Sequence, residues 1–325
     1  MLHGKEQVPL TSRSTFDTAS NSAAQQRAVM LVGYGETCPR TGAIMIRLAA
    51  RIASLGVARL SISAFLDNTR PTFDESLVRC VAEGVREIVV MPYVLGPDAF
   101  VRDQLPHLIE QSQQRFPHIA IRLTYTLGEH PALAELLLRR AVEADYVASH
   151  PEIVYPEQAA LFDSGPWLPM HVRHNTSLII LAYGADDHCF CDPVYTIAEY
   201  IGRQGLYAHT QVCLIETDQS PLINTIGELL QRDIQHTIVV PYFLQLSKNE
   251  DKELTTVIAA ARERYPNMSI ILAEPLGYDR AMLEVINDRI SEIIETPYHQ
   301  VQDLPTVRFE RGFGDHRAGY MEPPS

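Results

Sequence analysis

The sequence predicts an α/β protein of two similar domains, each a four-stranded parallel sheet flanked by helices, with a cleft between them. Three observations carry that prediction. The first is an internal repeat at an offset of 149 residues. Met30-Leu31-Val32-Gly33-Tyr34-Gly35 returns as Ile179-Ile180-Leu181-Ala182-Tyr183-Gly184, and Met91-Pro92-Tyr93 returns as Val240-Pro241-Tyr242. Phe116-Pro117 returns as Tyr265-Pro266, and Leu127-Gly128 as Leu276-Gly277. A unit this long is a domain rather than a solenoid repeat. The second is a regular alternation of short apolar runs with helical patterns, which favours right-handed crossovers and parallel strands. The third is length: 325 residues suffice for two domains, each with its own core.

In the first half, residues 28–34, 59–65, 87–93 and 119–125 are short, apolar and mostly β-branched or aromatic, as strands buried on both faces should be. Residues 41–55 and 73–83 carry apolar positions at helical spacing and end at Gly56 and Gly84. Residues 102–115 and 131–145 read as the third and fourth helices. The second half repeats the order, with strands at 177–183, 209–215, 237–242 and 268–273 and helices at 194–204, 222–231, 251–264 and 280–294. Pro71 pairs with Pro221 at an offset of 150, so one residue is gained near Glu216 and lost again before Thr237.

The expected organisation is a disordered polar leader over 1–27, domain one over 28–145, a linker over 146–176, domain two over 177–296 and a loose tail over 297–325. The linker is rich in Pro, His and aromatic residues and holds the sole Trp, Trp167, which suits a segment packed across the junction or over a cleft.

Composition narrows the function. A net charge of −13 argues against a general nucleic-acid or anionic-membrane binder. No apolar run approaches the roughly 20 residues that span a bilayer. Five scattered cysteines are not a disulfide framework, so a reducing cytoplasm is the expected location.

Ligands of open α/β sheets bind beyond the carboxyl ends of the strands. The turns there are Tyr34 to Pro39, Asp67 to Pro71, Gly96 to Phe100 and Leu127 to Pro131, with their counterparts in the second half. The densest set of metal donors is Asp186-Asp187-His188-Cys189-Phe190-Cys191-Asp192. Two thiols and an imidazole in one loop suit a soft or borderline metal through His188, Cys189 and Cys191. The other reading is a polar loop with incidental thiols.

These turns resemble those of the class II tetrapyrrole chelatases, the family of sirohydrochlorin cobaltochelatase and ferrochelatase, in its long two-domain form. The matching segments are Val32-Gly33-Tyr34-Gly35-Glu36, Phe65-Leu66-Asp67 before Pro71, Val90-Met91-Pro92-Tyr93-Val94-Leu95, Gln104-Leu105-Pro106 and Leu127-Gly128-Glu129-His130-Pro131. The resemblance implies a chelatase-like fold and insertion of Co2+ or Fe2+ into a sirohydrochlorin-type macrocycle. The divalent metal is then a substrate, and no organic cofactor is called for. The partner is a tetrapyrrole, with no nucleic acid or membrane, and a homo-oligomer is compatible with it.

The family's two metal-handling histidines map to Tyr34 and Phe100, and in the second half to Tyr183 and Asn249. Neutral imidazole both takes protons and holds metals near neutral pH, whereas Phe does neither and Tyr is a poor base unless its pKa falls far below about 10. Tyr34 and Tyr183 are either cleft-lining aromatics or catalytic groups acting as metal ligand or acid. Asp67 matches the family's acidic site, as metal donor and catalytic group, and is equally a turn former. Arg40, Arg70 and Arg102 are candidate partners of the macrocycle's carboxylates, with Phe100, His130 and Asn249 completing the expected substrate contacts. His130 alternatively forms a cap or turn hydrogen bond. The alternative function is a non-catalytic relative that binds or delivers a tetrapyrrole or metal.

Overall fold

The computed structural model describes residues 23–35, 39–66, 69–149, 173–184, 188–215 and 220–295. The first half runs β1 (Arg27–Gly33), α1 (Pro39–Ser54), β2 (Leu60–Phe65), α2 (Phe73–Ala82), β3 (Glu87–Pro92), α3 (Leu105–Arg115), β4 (Ala120–Leu123) and α4 (Pro131–Ser149). The second runs β5 (Arg173–Tyr183), α5 (His188–Arg203), β6 (Tyr207–Ile215), α6 (Ser220–Gln231), β7 (His236–Pro241), α7 (Lys248–Arg264), β8 (Ser269–Leu272) and α8 (Arg280–Glu295). Each half forms one parallel sheet, ordered β2-β1-β3-β4 and β6-β5-β7-β8.

Alternation along the central strands divides three cores. Ala28, Met30 and Val32 of β1 face outward with α2 and α3, and Ile179 and Leu181 of β5 face outward with α6 and α7. Val29 and Leu31 face inward and join Leu178 and Ile180 in one continuous core that holds α1, α4, α5 and α8. The strands are covered on both faces, which is why they read as unbroken apolar runs.

The terminal helices are exchanged between the halves. Helix α4 packs on β7, β8 and α5 of the second half, and α8 packs on β3 and α1 of the first. Equivalent arginines fasten the exchange. Arg140 on α4 donates to the carbonyls of Pro275 (3.2 Å) and Leu276 (2.9 Å). Arg289 on α8 donates to those of Thr126 (3.1 Å), Leu127 (3.3 Å) and Glu129 (3.0 Å). Each is steadied by an acid three residues on, Glu143 at 2.8 Å and Glu292 at 3.0 Å. The buried Arg122 of β4 adds a hydrogen bond to the carbonyl of Ile293.

Several boundaries differ from the sequence expectation. The third helix is entered through a π turn over Phe100–Gln104. Pro106 has no N–H to return to the chain, and the amide of Leu105 reaches back five residues to Phe100. Helix α7 begins three residues early because Ser247 and Glu250 form a capping box. Helix α5 begins at His188, the duplicate of Pro39 that opens α1, and continues through Pro193. His188 to Cys191 therefore belong to a helix, not to the expected loop. Helix α4 extends to Ser149 and β5 starts at Arg173. The expected leader (in its first 22 residues), most of the linker and all of the tail lie outside the described residues.

Candidate functional site between the two halves

A cavity of about 430 Å³ lies at the carboxyl ends of β1, β3, β5 and β7, with walls from both halves. Its floor is made of duplicated turns. The amides of Tyr93 and Tyr242 each donate to a carbonyl at the end of the central strand of their own half, Val32 and Leu181, at 2.7 Å. The amides of Gly128 and Gly277 donate to Leu95 and Leu244, both at 3.0 Å. Both glycines have positive φ (56° and 66°), a conformation that costs other residues, which accounts for the repeated Leu-Gly. The lining is largely apolar and aromatic, with Tyr34, Tyr93, Tyr183, Tyr242 and Phe243, and its carboxylates are Asp98 and Glu250.

Each half brings a tyrosine from the end of its first strand against one of those carboxylates. Tyr34 donates its hydroxyl to Oδ2 of Asp98 at 2.9 Å, while Oδ1 accepts the amide of Val101 at 3.1 Å. Tyr183 is hydrogen-bonded to Glu250, whose Oε2 also accepts the amide of Ser247 at 2.7 Å. Burial, then the negative charges of Glu250 and Glu253, then that hydrogen bond push the Tyr183 phenol above its ordinary pKa. It therefore stays protonated near neutral pH, the state of a hydrogen-bond donor or acid rather than a base. Aromatic neighbours brace both phenols: Phe100 lies 5.5 Å from Tyr34 and Phe243 lies 4.9 Å from Tyr183, centroid to centroid.

Tyr93 and Tyr242 are also duplicates, but they differ in partnership. Tyr242 donates to the carbonyl of Gly128 at 3.1 Å. The Tyr93 hydroxyl is buried and has no hydrogen-bond partner among the described residues. Burial pushes both phenols well above their usual pKa.

The structure sorts the sequence candidates. Tyr34 and Tyr183 line the cavity together. Phe100 is 1% exposed and supports Tyr34 from behind rather than facing the cavity. His130 makes the turn hydrogen bond of its alternative reading. Its Nδ1 accepts the amide of Ala132 at 3.1 Å and its Nε2 lies 3.3 Å from Asp288, so both ring nitrogens serve the exchanged helices. Its duplicate position, Asp279, meets Arg139 (the duplicate of Asp288) at 3.1 Å, so the same two positions are joined again, with the acid on the other member. Arg70 is exposed beside Glu75 at 3.3 Å, and Arg102 and Asn249 are exposed outside the cavity wall. Asp67 and the side chains of Arg40, His188, Cys189 and Cys191 lie outside the described residues. Among the described residues no group of three or more His, Cys, Asp or Glu is placed to hold a metal ion.

The residues that sequence reasoning passed over are Tyr93, Asp98, Tyr242 and Glu250. Each had a signal: Pro-Tyr occurs in both copies, Asp98 sits in a strand-end turn, and Ser247-x-x-Glu250 is a capping-box pattern.

With the site in place, its relatives can be set beside it. The CbiX family model matches residues 28–144 and again 177–293. The sirohydrochlorin cobaltochelatase of Priestia megaterium is 21% identical over 295 residues, 89% of this chain and 87% of that one. The sirohydrochlorin ferrochelatase of the same organism is 18% identical over 239 residues, 73% of this chain and 79% of that one. SirB from Bacillus subtilis with Fe3+ superposes with a TM-score of 0.67 at 18% identity, over 85% of this chain and 99% of that one. The sirohydrochlorin chelatase SirB from Bacillus subtilis subspecies spizizenii, in complex with cobalt, gives 0.62 at 17% over the same shares. At these identities structural likeness carries the fold alone. The paired family matches carry membership: this chain belongs to the CbiX family of class II tetrapyrrole chelatases, and holds both copies of its domain in one polypeptide.

Proposed function

We propose that the protein binds a sirohydrochlorin-type tetrapyrrole in the cavity between its halves and inserts Co2+ or Fe2+ into it. The observation that carries this reading is the pair of equivalent tyrosines, each bonded to a carboxylate, that the two halves bring to one cavity. Aromatic walls suit a flat macrocycle, and polar groups from both halves suit a reaction that removes two protons while a dication enters. The relatives named cobaltochelatase and ferrochelatase support the substrate class. In this reading Tyr34 and Tyr183 hold and orient the reacting centre. In the same reading Asp67, His188, Cys189 and Cys191 supply metal, and Arg40, Arg70 and Arg102, with Asn249, meet the peripheral carboxylates. The sparse, buried thiols Cys80 and Cys213 fit a reducing cytoplasm.

One observation favours the second reading, a tetrapyrrole- or metal-binding relative without turnover: phenols replace imidazoles, and Tyr183 is shifted away from acting as a base. Anaerobic incubation with sirohydrochlorin and Co2+ or Fe2+, followed by absorption, separates the two. Metal insertion faster than without protein is the expected result. A spectral shift on binding with no acceleration establishes the second reading, and no spectral change overturns both.

A further inference from the structure

Asp98 and Glu250 do not occupy equivalent positions. The duplicate of Asp98 is Ser247, and the duplicate of Glu250 is Val101. Yet each ends at the cavity wall against the equivalent tyrosine of its own half. In the first half the carboxylate sits at the helix entrance and receives the amide of Val101. In the second, Ser247 takes that entrance, and the carboxylate comes from the third residue of α7 through the capping box. Helix capping explains one oxygen of each acid. It does not explain why unrelated positions deliver a carboxylate to the same phenol twice.

A second observation points to a ligand in the same place. The Tyr93 hydroxyl, in a residue that lines this cavity and is 2% exposed, has no partner among the described residues, whereas its duplicate Tyr242 is bonded to Gly128. Buried polar groups in native proteins are almost always paired, with protein or with water, and at the cavity wall this hydroxyl is placed to take its partner from a bound molecule.

We infer that Asp98 and Glu250 are the two proton acceptors of metal insertion, one for each pyrrole N–H, and that the Tyr93 hydroxyl contacts the bound macrocycle. The inference rests on the chelatase reading above. In each half-reaction a pyrrole N–H bond breaks, its electron pair stays on nitrogen and forms the nitrogen–metal bond, and the proton passes to a carboxylate oxygen. Two such transfers leave two neutral carboxylic acids and a macrocycle whose two negative nitrogens balance the dication. No electron changes hands, and the acids return their protons to water at the cavity mouth. Tyr34 and Tyr183 keep their own protons and hold the carboxylates by donating hydrogen bonds to them.

The test uses the full chain with Asp98→Asn, Glu250→Gln, the double variant and Tyr93→Phe. Asn remains a good N-cap and Gln a good third residue of a capping box, so both single variants retain their helix entrances. Circular dichroism and thermal melting confirm that they fold. Sirohydrochlorin affinity is measured by anaerobic spectral titration without metal, and insertion rate with Co2+. Each charge-removing variant is expected to bind within about 3-fold of wild type but to insert metal about 100-fold more slowly, the lower end for a lost acid–base group. The double variant should fall to the rate without protein, and Tyr93→Phe should lose about 10-fold in affinity, as for one lost hydrogen bond. Insertion at the wild-type rate by both single variants overturns the inference and leaves the chelatase reading intact. A wild-type protein that binds the macrocycle without accelerating insertion overturns the proton-acceptor assignment and leaves macrocycle binding. A wild-type protein that neither shifts the spectrum nor accelerates insertion overturns the proposed function itself.

Discussion

Tyr93 and Tyr242 show how duplicated residues acquire opposite energetic signs. In the absence of ligand, Tyr93→Phe removes a buried hydroxyl that has no described partner, so unfolding in urea should shift to higher concentration. The gain should be about 1 kcal/mol, the lower end of the penalty for an unsatisfied group. Tyr242→Phe deletes the donor to the Gly128 carbonyl and should lose about 1–2 kcal/mol in the same measurement. Both phenols and the Cys80 thiol, which burial raises from 9.0 to about 12, hold their protons longer in the folded chain than in the unfolded one. Their stabilising contribution is complete below the ordinary thiol and phenol values. It is lost as pH rises from about 9 toward 12, because the unfolded chain then deprotonates first. Denaturation midpoints measured from pH 8 to 11 should fall across that window, and less steeply in the two Phe variants.

At the scale of elements, the exchanged helices are held by arginine forks on strand-end carbonyls. Arg289→Ala strips the carbonyls of Thr126, Leu127 and Glu129 of a shared donor and should cost about 2–3 kcal/mol. Arg140→Ala should cost a similar amount at the Pro275–Leu276 turn, and both losses should appear as lowered melting temperatures. The strands were legible in the sequence because burial on both faces leaves an unbroken β-branched run, as in Ile88-Val89-Val90. The exchange was not. The apolar residues Leu133, Leu136 and Leu137 of α4 present the same pattern whichever sheet they cover, so periodicity cannot name the partner. The π turn before α3 escaped notice for a similar reason: Pro106 announces a helix start but not the wider backbone path that precedes it.

For the whole molecule, the inward faces of both sheets share one core, so neither half is complete alone. A fragment of residues 23–149 should leave the apolar face of α4 uncovered. By size-exclusion chromatography it should associate or precipitate, and it should form a one-to-one complex when mixed with residues 173–295. The repeat made the architecture readable and placed Tyr34 and Tyr183 in the cavity. It could not disclose Asp98 and Glu250 as a pair, because the duplication offset does not relate them. The shared core also bears on how a molecule enters and leaves. Two lobes that trade their last helices cannot swing apart on a hinge, since parting the sheets would pull α4 from β7 and β8 and expose that core at about 25 cal/mol for each Å². Among the described residues of the cavity wall, Tyr34 is 39% exposed, and turning it aside breaks its hydrogen bond to Asp98. The residence time of a bound molecule is then set by contacts at this shared wall, not by a swing of one half away from the other.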